Sequence, residues 1–153
     1  MSPPFPEISE LVPHAQPMLL LERVLEHAGA STVCSALTSA SRLFAEADGS
    51  VPSWVGLEYM AQCAAVHGGL ASRARGETPR PGLLLGSRRL QLHTPAFEAG
   101  ARLRVEARHH RGELGLVSFD CSIHSAGDER LAEGRINLYI LQAWDELGGV
   151  QLG

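Results

Sequence analysis

The sequence predicts an α+β fold in which one antiparallel sheet of six strands packs around a single long helix. The helix is predicted from a largely apolar segment at residues 54–73, which would make about five turns. The strands are predicted from alternating or continuous apolar segments, two before this helix and four after it. Since 153 residues suit one domain, we expect residues 1–153 to form a single unit with the order β-β-α-β-β-β-β.

The N-terminal third is predicted to contain a short turn and then two strands. Residues 5–14, "FPEISELVPH", are typical of a short helical turn that Pro13 closes. The segments "PMLLLERVLEH" and "STVCSALTSA" lie on either side of "AGA" and predict two antiparallel strands. The loop "AEADGSVPS" ends at Ser53, a residue type that caps helices. We therefore expect the helix to run from Trp54 to Arg73.

The C-terminal half is predicted to contain four strands, because the apolar period changes to two. In "ARLRVEARHH", Leu103, Val105 and Ala107 alternate with charged residues, which is typical of a half-buried strand. The segments "LLLGSRRLQLH", "LVSFDCSIHS" and "RLAEGRINLYIL" predict the other three strands, separated by polar or Gly-containing turns. Small helix residues such as Ala61 and Gly68 would let this sheet approach the helix closely.

The composition argues against several classes of function. A net charge of -4 does not favour nucleic-acid binding. All 13 basic residues are arginine, so the chain has no lysine for a Schiff base or a P-loop. The N-terminus lacks a signal-peptide pattern, and no apolar run approaches the ~18 residues of a membrane span. We therefore expect a cytoplasmic protein that binds neither nucleic acid nor membrane.

The cysteines and histidines do not form a metal-binding pattern. Cys34, Cys63 and Cys121 are scattered, which predicts reduced thiols in the core rather than disulfides. Cys63 and His67 lie four residues apart on the helix, but two ligands do not make a zinc site. Turns or strand surfaces are expected for His27, His93 and His124. The sequence therefore predicts neither a metal nor a bound cofactor.

Two polar residues interrupt the apolar helix segment "WVGLEYMAQCAAVHGG". Glu58 and Gln62 are four residues apart, so their side chains meet on one helical face. A carboxyl group can transfer protons in catalysis, and a buried amide without partners costs about 1–3 kcal/mol. These two residues are therefore candidates for a functional site. The alternative for Glu58 is a polar residue that reaches the surface or binds a partner's backbone.

These motifs resemble those of the FabZ-type 3-hydroxyacyl-acyl-carrier-protein dehydratases, which have the hotdog fold. The segment "LVPHAQPMLLLERVLE" is similar to the family pattern "LPHRxPFLLVDRVL", and "VPSWVGLEYMAQ" is similar to "MPGVLIxEAMAQ". The latter resembles in particular the ApeP group, which is encoded with aryl-polyene biosynthesis systems. The matches cover residues 11–26 and 51–62. The resemblance implies a hotdog fold, with one long central helix wrapped by a curved six-stranded antiparallel sheet.

The resemblance also implies an activity and a set of site residues. The reaction is the dehydration of 3-hydroxyacyl thioesters, held by the phosphopantetheine of an acyl carrier protein, in fatty-acid, polyketide or aryl-polyene synthesis. In the family, the helix glutamate is the acid–base partner and a nearby glutamine helps to hold it; these roles fall on Glu58 and Gln62. The backbone N–H groups of Trp54, Val55 and Gly56, at the positive end of the helix dipole, are candidate donors to the thioester oxygen. We count Gln62 with them as a candidate substrate-binding residue.

The sequence departs from the dehydratase pattern in two places. The family's "GHFPG" histidine is catalytic, and the corresponding position here is Phe44. The glycine of the family's "MPG" is replaced by Ser53. His14 is the candidate that would replace the missing catalytic imidazole, reaching Glu58 within one chain or across a dimer interface. The alternative is that His14 organises its own loop.

Partners are predicted from the arginines and from the sheet. The arginines at the helix end and in the next strand form either a solvated surface or a landing patch for the carrier's phosphate. They are Arg73, Arg75, Arg80, Arg88 and Arg89. A single sheet around one helix leaves open strand edges. We therefore expect a homodimer, or a heterodimer with another hotdog subunit.

Two other functions fit the same residues. In the first, the chain is a catalytically degenerate hotdog subunit that pairs with a complete dehydratase, as the missing "GHFPG" histidine indicates. In the second, it is a hotdog acyl thioesterase, in which the helix carboxylate activates water. Release of free thiol from an acyl-CoA would distinguish a thioesterase from a dehydratase.

Overall fold

The structure, a computed structural model, describes residues 4–12 and 18–141. Its strands are β1 (Arg23–Ala28), β2 (Ser31–Leu37), β3 (Val51–Pro52), β4 (Gly82–Leu92), β5 (Ala96–Phe97), β6 (Arg102–Glu113), β7 (Leu116–His124) and β8 (Arg130–Ile140). Six of them form one antiparallel sheet in the order β1-β2-β6-β7-β8-β4, and the helix α1 (Gly56–Ala74) packs on it. This confirms the predicted α+β architecture. Within the described ranges, no helix is long and apolar enough to cross a membrane.

The inner face of the sheet supplies much of the core. On β6, Leu103, Val105 and Ala107 are all buried, whereas the charged residues between them are not. The strand register places Val105 opposite Cys34 on β2 and opposite Ile123 on β7, both of which are buried. The predicted period of two is therefore confirmed, and one apolar surface extends across β2, β6 and β7, which all face α1.

The start of α1 differs from the prediction. The helix begins at Gly56 rather than at Trp54, because residues Ser53–Val55 form a 3-10 turn that leads directly into it. Ser53 is buried and makes no side-chain capping hydrogen bond. The prediction that Ser53 caps the helix is therefore wrong. The residue before α1, Val55, already has helical backbone angles, so the 3-10 turn takes the place of a cap.

The end of α1 is fixed by a glycine. The helix ends at Ala74, one residue beyond the prediction. Gly76 follows with a φ of +72°, and its N–H donates to the carbonyl of Arg73. The N–H of Glu77 donates to the carbonyl of Ser72. These two bonds form a Schellman motif, which satisfies carbonyls that the last helical turn leaves open.

Close packing accounts for two of the glycines in α1. A Cβ at Gly69 would overlap the backbone carbonyl oxygen of Leu11. At Gly56, a Cβ would lie 3.1 Å from Ile123 Cδ1 and 3.2 Å from Phe97 Cζ. The helix therefore contacts the N-terminal segment and the sheet more closely than alanine at these positions would allow.

The segments before β1 and α1 pack onto the same core. A 3-10 turn at Ile8–Glu10 confirms the predicted N-terminal turn, whereas Pro13 lies outside the described residues. The short β3–β5 pair was not predicted, because two residues per strand are too few to show a period. It pairs Val51 with Phe97, and both are buried, so it anchors the loop that precedes α1.

The three cysteines are free and buried, as predicted. Burial raises the pKa of the Cys63 and Cys121 thiols. The Cys63 thiol lies 3.4 Å from the carbonyl oxygen of Val105 and 3.5 Å from that of Thr32, so it contacts both β6 and β2. Cys63 and Cys121 are therefore protonated core thiols rather than nucleophiles.

Candidate active site

A groove of about 400 Å³ runs along one face of α1, between the helix and the sheet. Its lining includes Ala61, Ala65 and Gly68 on the helix, and Val117, Phe119 and Leu138 on the sheet. Glu58 lies at the end nearest the start of the helix and Arg75 lies at the other end. At 1.5 Å per helical residue, the two are about 25 Å apart along the axis. The small helix residues therefore make room for an extended apolar chain beside a carboxyl group.

Gln62 positions Glu58 and also binds the segment that leads into β1. Its Nε2 donates to Glu58 Oε1 at 3.0 Å and to the carbonyl oxygen of Met18 at 2.6 Å. Its Oε1 accepts from the backbone N–H of Leu20 at 2.9 Å. The side chain is fully buried and its amide is occupied by protein groups. These hydrogen bonds fit the holding role that the family resemblance implied for Gln62, and its contact with substrate stays a prediction.

The first turn of the helical segment offers fewer backbone donors than predicted. The N–H of Gly56 donates to the carbonyl of Ser53, so the expectation of a free donor at Gly56 is wrong. The 3-10 turn causes this, because it satisfies that N–H one residue into the helix. Trp54 is 61% exposed, whereas Val55 is buried. The i→i+3 pattern of the same turn also pairs the N–H of Val55 with the carbonyl of Pro52, so Trp54 remains as the candidate donor.

The predicted imidazole, His14, lies outside the described residues, so its role stays a prediction. The ring of Phe44, the residue that the sequence resemblance sets against the catalytic histidine of FabZ-type dehydratases, meets that of Trp54 edge to face, with centroids 6.1 Å apart. In residues 4–12 and 18–141, the histidines that line the groove are His67 and His109. At the helical rise per residue, His67 is about 13 Å along α1 from Glu58.

Farther along the groove lies a group of side chains that we call the histidine cluster, formed by His27, His67, His109 and Thr32. The Thr32 hydroxyl lies 2.8 Å from Nδ1 of His27 and 2.8 Å from Nδ1 of His67. The ring of His67 stacks on that of His109, with centroids 6.4 Å apart and planes 6° apart. Burial, and then the charges of His27 and His109, lower the pKa of His67 to about 4. His67 is therefore neutral near neutral pH.

Two predictions about the other histidines are corrected by the structure. His27 is half-buried in the cluster instead of lying on a strand surface. His124 is buried, and its Nδ1 has no hydrogen-bond partner among the residues that the structure describes. The ring of His27 is covered by its contacts with Thr32 and His67, and His124 lies where the register between β7 and β8 shifts. In the part of the chain that the structure describes, no three His, Cys, Asp or Glu side chains are grouped so that they could hold a metal ion.

The predicted arginine patch is divided between different surfaces. Arg75 and Arg80 line the end of the groove far from Glu58, and both lie within 3.5 Å of the Glu77 carboxylate. Arg89 instead lines a depression with Asp120. The five arginines therefore do not form one surface next to Glu58.

A comparison with protein families shows which family the chain belongs to. A family model described as ApeP dehydratase matches residues 6–147. The chain belongs to the ApeP-like dehydratase family. The predicted family is thereby confirmed, together with the expectation of a dehydratase. No curated protein matches the chain.

Solved structures agree with this assignment. The dehydratase heterocomplex ApeI:P from Xenorhabdus doucetiae matches this ApeP-like chain with a TM-score of 0.86 and 28% identity, over 96% of this chain and 99% of that one. A hypothetical thioesterase with coenzyme A from Streptococcus pneumoniae matches with a TM-score of 0.60 and 8% identity, over 78% and 84% of the two chains. The PaaI protein of Escherichia coli matches with a TM-score of 0.58 and 12% identity, over 76% and 81%. The last two show the fold alone, and together the matches confirm the predicted hotdog fold.

The histidine cluster of this ApeP-like chain was missed in the sequence analysis. A signal was present, because the alternation of Leu103, Val105 and Ala107 continues to His109 on the same face of β6. Thr32 and His67 are 35 residues apart in the sequence and meet only because β2 packs on α1. No local pattern could therefore have paired them.

Proposed function

We propose that this ApeP-like dehydratase removes water from 3-hydroxyacyl thioesters held by the phosphopantetheine of an acyl carrier protein, in aryl-polyene, fatty-acid or polyketide synthesis. The observation that carries the proposal is the position of Glu58. Its carboxyl group lies on the wall of a long, largely apolar groove, and one of its oxygens is fixed by Gln62. A groove of this kind suits a fatty thioester whose reacting carbons lie beside the carboxyl group.

The proposed reaction needs two proton transfers. A base removes a proton from C2 of the acyl group, and an acid protonates the oxygen on C3 as the C3–O bond breaks. The C2–C3 bond becomes double, water leaves, and an enoyl thioester remains. We assign one transfer to Glu58 and the other to His14, which replaces the imidazole that the family carries at the position of Phe44.

Negative charge develops on the thioester oxygen when the C2 proton leaves. Hydrogen-bond donors aimed at such an oxygen lower the barrier. The backbone N–H of Trp54, in the turn that leads into α1, is the donor that we propose. The positive end of the helix dipole lies at the same place and adds to its effect.

We propose that the active assembly is a dimer of hotdog subunits. Both edge strands of the sheet carry arginines and register shifts, but β4 is the longer one and exposes Leu84 and Leu85. A long edge strand with exposed apolar residues is prone to pair with another chain, so β4 is the edge that we expect to pair. The similarity to the ApeI:P heterocomplex supports a second, different hotdog chain as the partner. The three free, buried thiols support a reducing compartment, the cytoplasm.

The test is the turnover of a 3-hydroxyacyl-carrier substrate by the Glu58→Gln variant. The chain is assayed alone and with a second hotdog subunit, and the conjugated enoyl thioester is followed by its ultraviolet absorbance. General acid–base catalysis contributes about 10²–10⁴-fold, so we expect a loss of at least about 100-fold. Glu113→Gln, which changes an exposed carboxylate at the end of β6, is the matched control and should keep full activity.

The same assay separates the proposal from its alternatives. Undiminished dehydration by the Glu58→Gln variant in the complex would show that the partner performs the chemistry and that this chain is degenerate. Release of free thiol without enoyl product would identify a thioesterase instead. Circular dichroism of both variants establishes that any loss of activity is not a loss of the fold.

A further inference from the structure

The face of the sheet that points away from α1 carries a depression of about 350 Å³, separate from the groove. Side chains of four neighbouring strands, β6, β7, β8 and β4, line it. Four of them are arginines, Arg108 on β6, Arg130 and Arg135 on β8, and Arg89 on β4, and three are carboxylates. The lining of the depression therefore carries one more positive charge than negative charge.

The three carboxylates of the depression already have partners. Asp120 accepts from Arg135 through both of its oxygens, at 2.8 Å and 3.4 Å. Glu133 accepts from Arg130 at 3.4 Å. Glu106 accepts from a serine hydroxyl of β2 at 3.3 Å. Two of the four arginines are therefore paired, and no carboxylate is left over for the other two.

The two remaining arginines, Arg89 and Arg108, lie on either side of the Asp120–Arg135 pair in the strand order. Among residues 4–12 and 18–141, neither of them makes a hydrogen bond or an ion pair within 4 Å. The hydroxyl of Ser122, which lines the same depression, makes no hydrogen bond in these ranges either. The depression therefore offers two guanidinium groups and one hydroxyl to a ligand.

The backbone of Arg89 has a conformation that arginine rarely adopts. Its φ is +54°, in the left-handed region that favours glycine. It lies at the bulge of β4 between Arg88 and Gln91, and a bulge re-aims the side chains of its strand. Gly134 on β8 admits this bulge, because a Cβ there would lie 3.1 Å from Cα of Leu90. Strained residues of this kind cluster at ligand sites, so a long cation at position 89 indicates a bound anion.

We propose that this depression binds a phosphate group, held between Arg89 and Arg108 with Ser122 as a further donor. Guanidinium groups bind phosphate oxygens through pairs of parallel hydrogen bonds. Three strand spacings, about 14 Å, separate β6 from β4, a gap that two extended arginine side chains and a phosphate group span. The bound phosphate thus ties the edge strand β4 to the middle of the sheet. The inference does not depend on the proposed function, because the site lies on the opposite face of the sheet from Glu58.

The test is a calorimetric titration of the whole chain, in its native assembly and at constant ionic strength, with inorganic phosphate and with glycerol 3-phosphate. We expect saturable binding of one anion per chain. The urea midpoint should rise with the concentration of the anion, because the anion binds the folded state. Arg89→Gly and Arg108→Gln should each weaken binding by at least about ten-fold, the effect of one lost charge-assisted hydrogen bond.

Two further measurements separate a lost site from a damaged fold. Arg89→Gly relieves the left-handed backbone, so without phosphate it should unfold at a higher urea concentration than the native protein. Arg111→Gln is the matched control, because Arg111 is an exposed arginine of β6 that does not line the depression. It should leave the binding of both anions unchanged.

The two anions also identify the source of the phosphate. Tighter binding of glycerol 3-phosphate than of inorganic phosphate identifies the phosphate end of a larger molecule as the ligand. Equal or weaker binding identifies free phosphate, and both results support the site. An absence of saturable binding would overturn the inference. Equal affinities of the native protein and of the Arg89→Gly and Arg108→Gln variants would overturn it as well.

Discussion

At the scale of single residues, Gln62 connects the structure of the site to its chemistry. One buried amide binds Glu58, the carbonyl of Met18 and the N–H of Leu20. The carboxyl group that we propose as catalytic is therefore held by the same side chain that fixes the start of the sheet. A change at this residue should affect stability and activity together.

We predict that Gln62→Met lowers the free energy of unfolding by about 1–3 kcal/mol, because the buried N–H of Leu20 loses its acceptor while the side-chain volume is kept. The turnover number should fall as well, because Glu58 loses a donor. Urea unfolding and steady-state kinetics measure the two effects. Gln91→Met, at an exposed position of β4, should change stability by less than about 0.5 kcal/mol. Equal stability of the two variants would refute the structural role of Gln62.

His67 leads to a prediction about pH. Its pKa is lowered from 6.5 to about 4, first by burial. Between these two values the unfolded chain binds more protons at this residue than the folded chain does, so the contribution of His67 is fully present above pH 6.5 and is lost as the pH falls towards 4. We predict that His67→Gln loses less stability on acidification than the native protein does. Urea midpoints at neutral pH and near pH 4.5 measure this difference.

His110→Gln provides the comparison for the pH experiment, because His110 is exposed on the other face of β6. The fall in its urea midpoint on acidification should match that of the native protein. An identical acid response of the native and His67→Gln proteins would show that the cluster is not protected from protonation.

At the scale of elements, α1 needs residues without a Cβ where other segments pack closely against it. Gly69 faces the carbonyl oxygen of Leu11, whereas a Cβ at neighbouring Gly68 would meet nothing within 4 Å. The two glycines therefore have different roles. Gly69 lets the N-terminal segment contact the helix, and Gly68 widens the groove.

We predict opposite effects of alanine at these two positions. Gly69→Ala should destabilise the fold by about 1–3 kcal/mol, because the N-terminal segment must move away from the helix. Gly68→Ala should stabilise it by up to about 1 kcal/mol, the difference in helix propensity. Thermal and urea unfolding of both variants test this. A stabilising Gly69→Ala substitution would mean that Leu11 does not pack on the helix.

At the scale of the whole molecule, the two sheet edges predict how subunits meet. Leu85 on β4 is 58% exposed, and β4 is the edge that we expect to pair. We predict that Leu85→Arg dissociates the dimer into monomers, whether the chain pairs with a second copy of itself or with a different hotdog chain. Sedimentation velocity of the chain alone and of the co-expressed pair gives the mass.

Leu114→Arg is the control for the assembly experiment. Leu114 is 91% exposed in the turn between β6 and β7, away from the β4 edge. Its replacement should leave the assembly intact. A dimer that survives Leu85→Arg and dissociates with Leu114→Arg would place the interface elsewhere.

The parts of this molecule that could be predicted from sequence are those with a local period. The alternation in β6 and the apolar run of α1 give the sheet and the helix, and the "LEYMAQ" motif gives Glu58 and Gln62. The 3-10 turn at Ser53–Val55 could not be predicted, because a serine there also fits a helix cap. The short β3–β5 pair and the histidine cluster depend on residues distant in sequence, which only the packed fold brings together.

The central claim is that a fatty thioester reacts beside Glu58 with its acyl chain in the groove along α1. The most direct measurement is a crystal structure of the Glu58→Gln variant, in its complex, with a bound 3-hydroxyacyl pantetheine thioester. We predict that C2 and C3 of the acyl group lie within hydrogen-bonding reach of residue 58, and that the chain passes Ala65 and Gly68 towards His67. A thioester bound outside this groove, with its reacting carbons far from residue 58, would contradict the account.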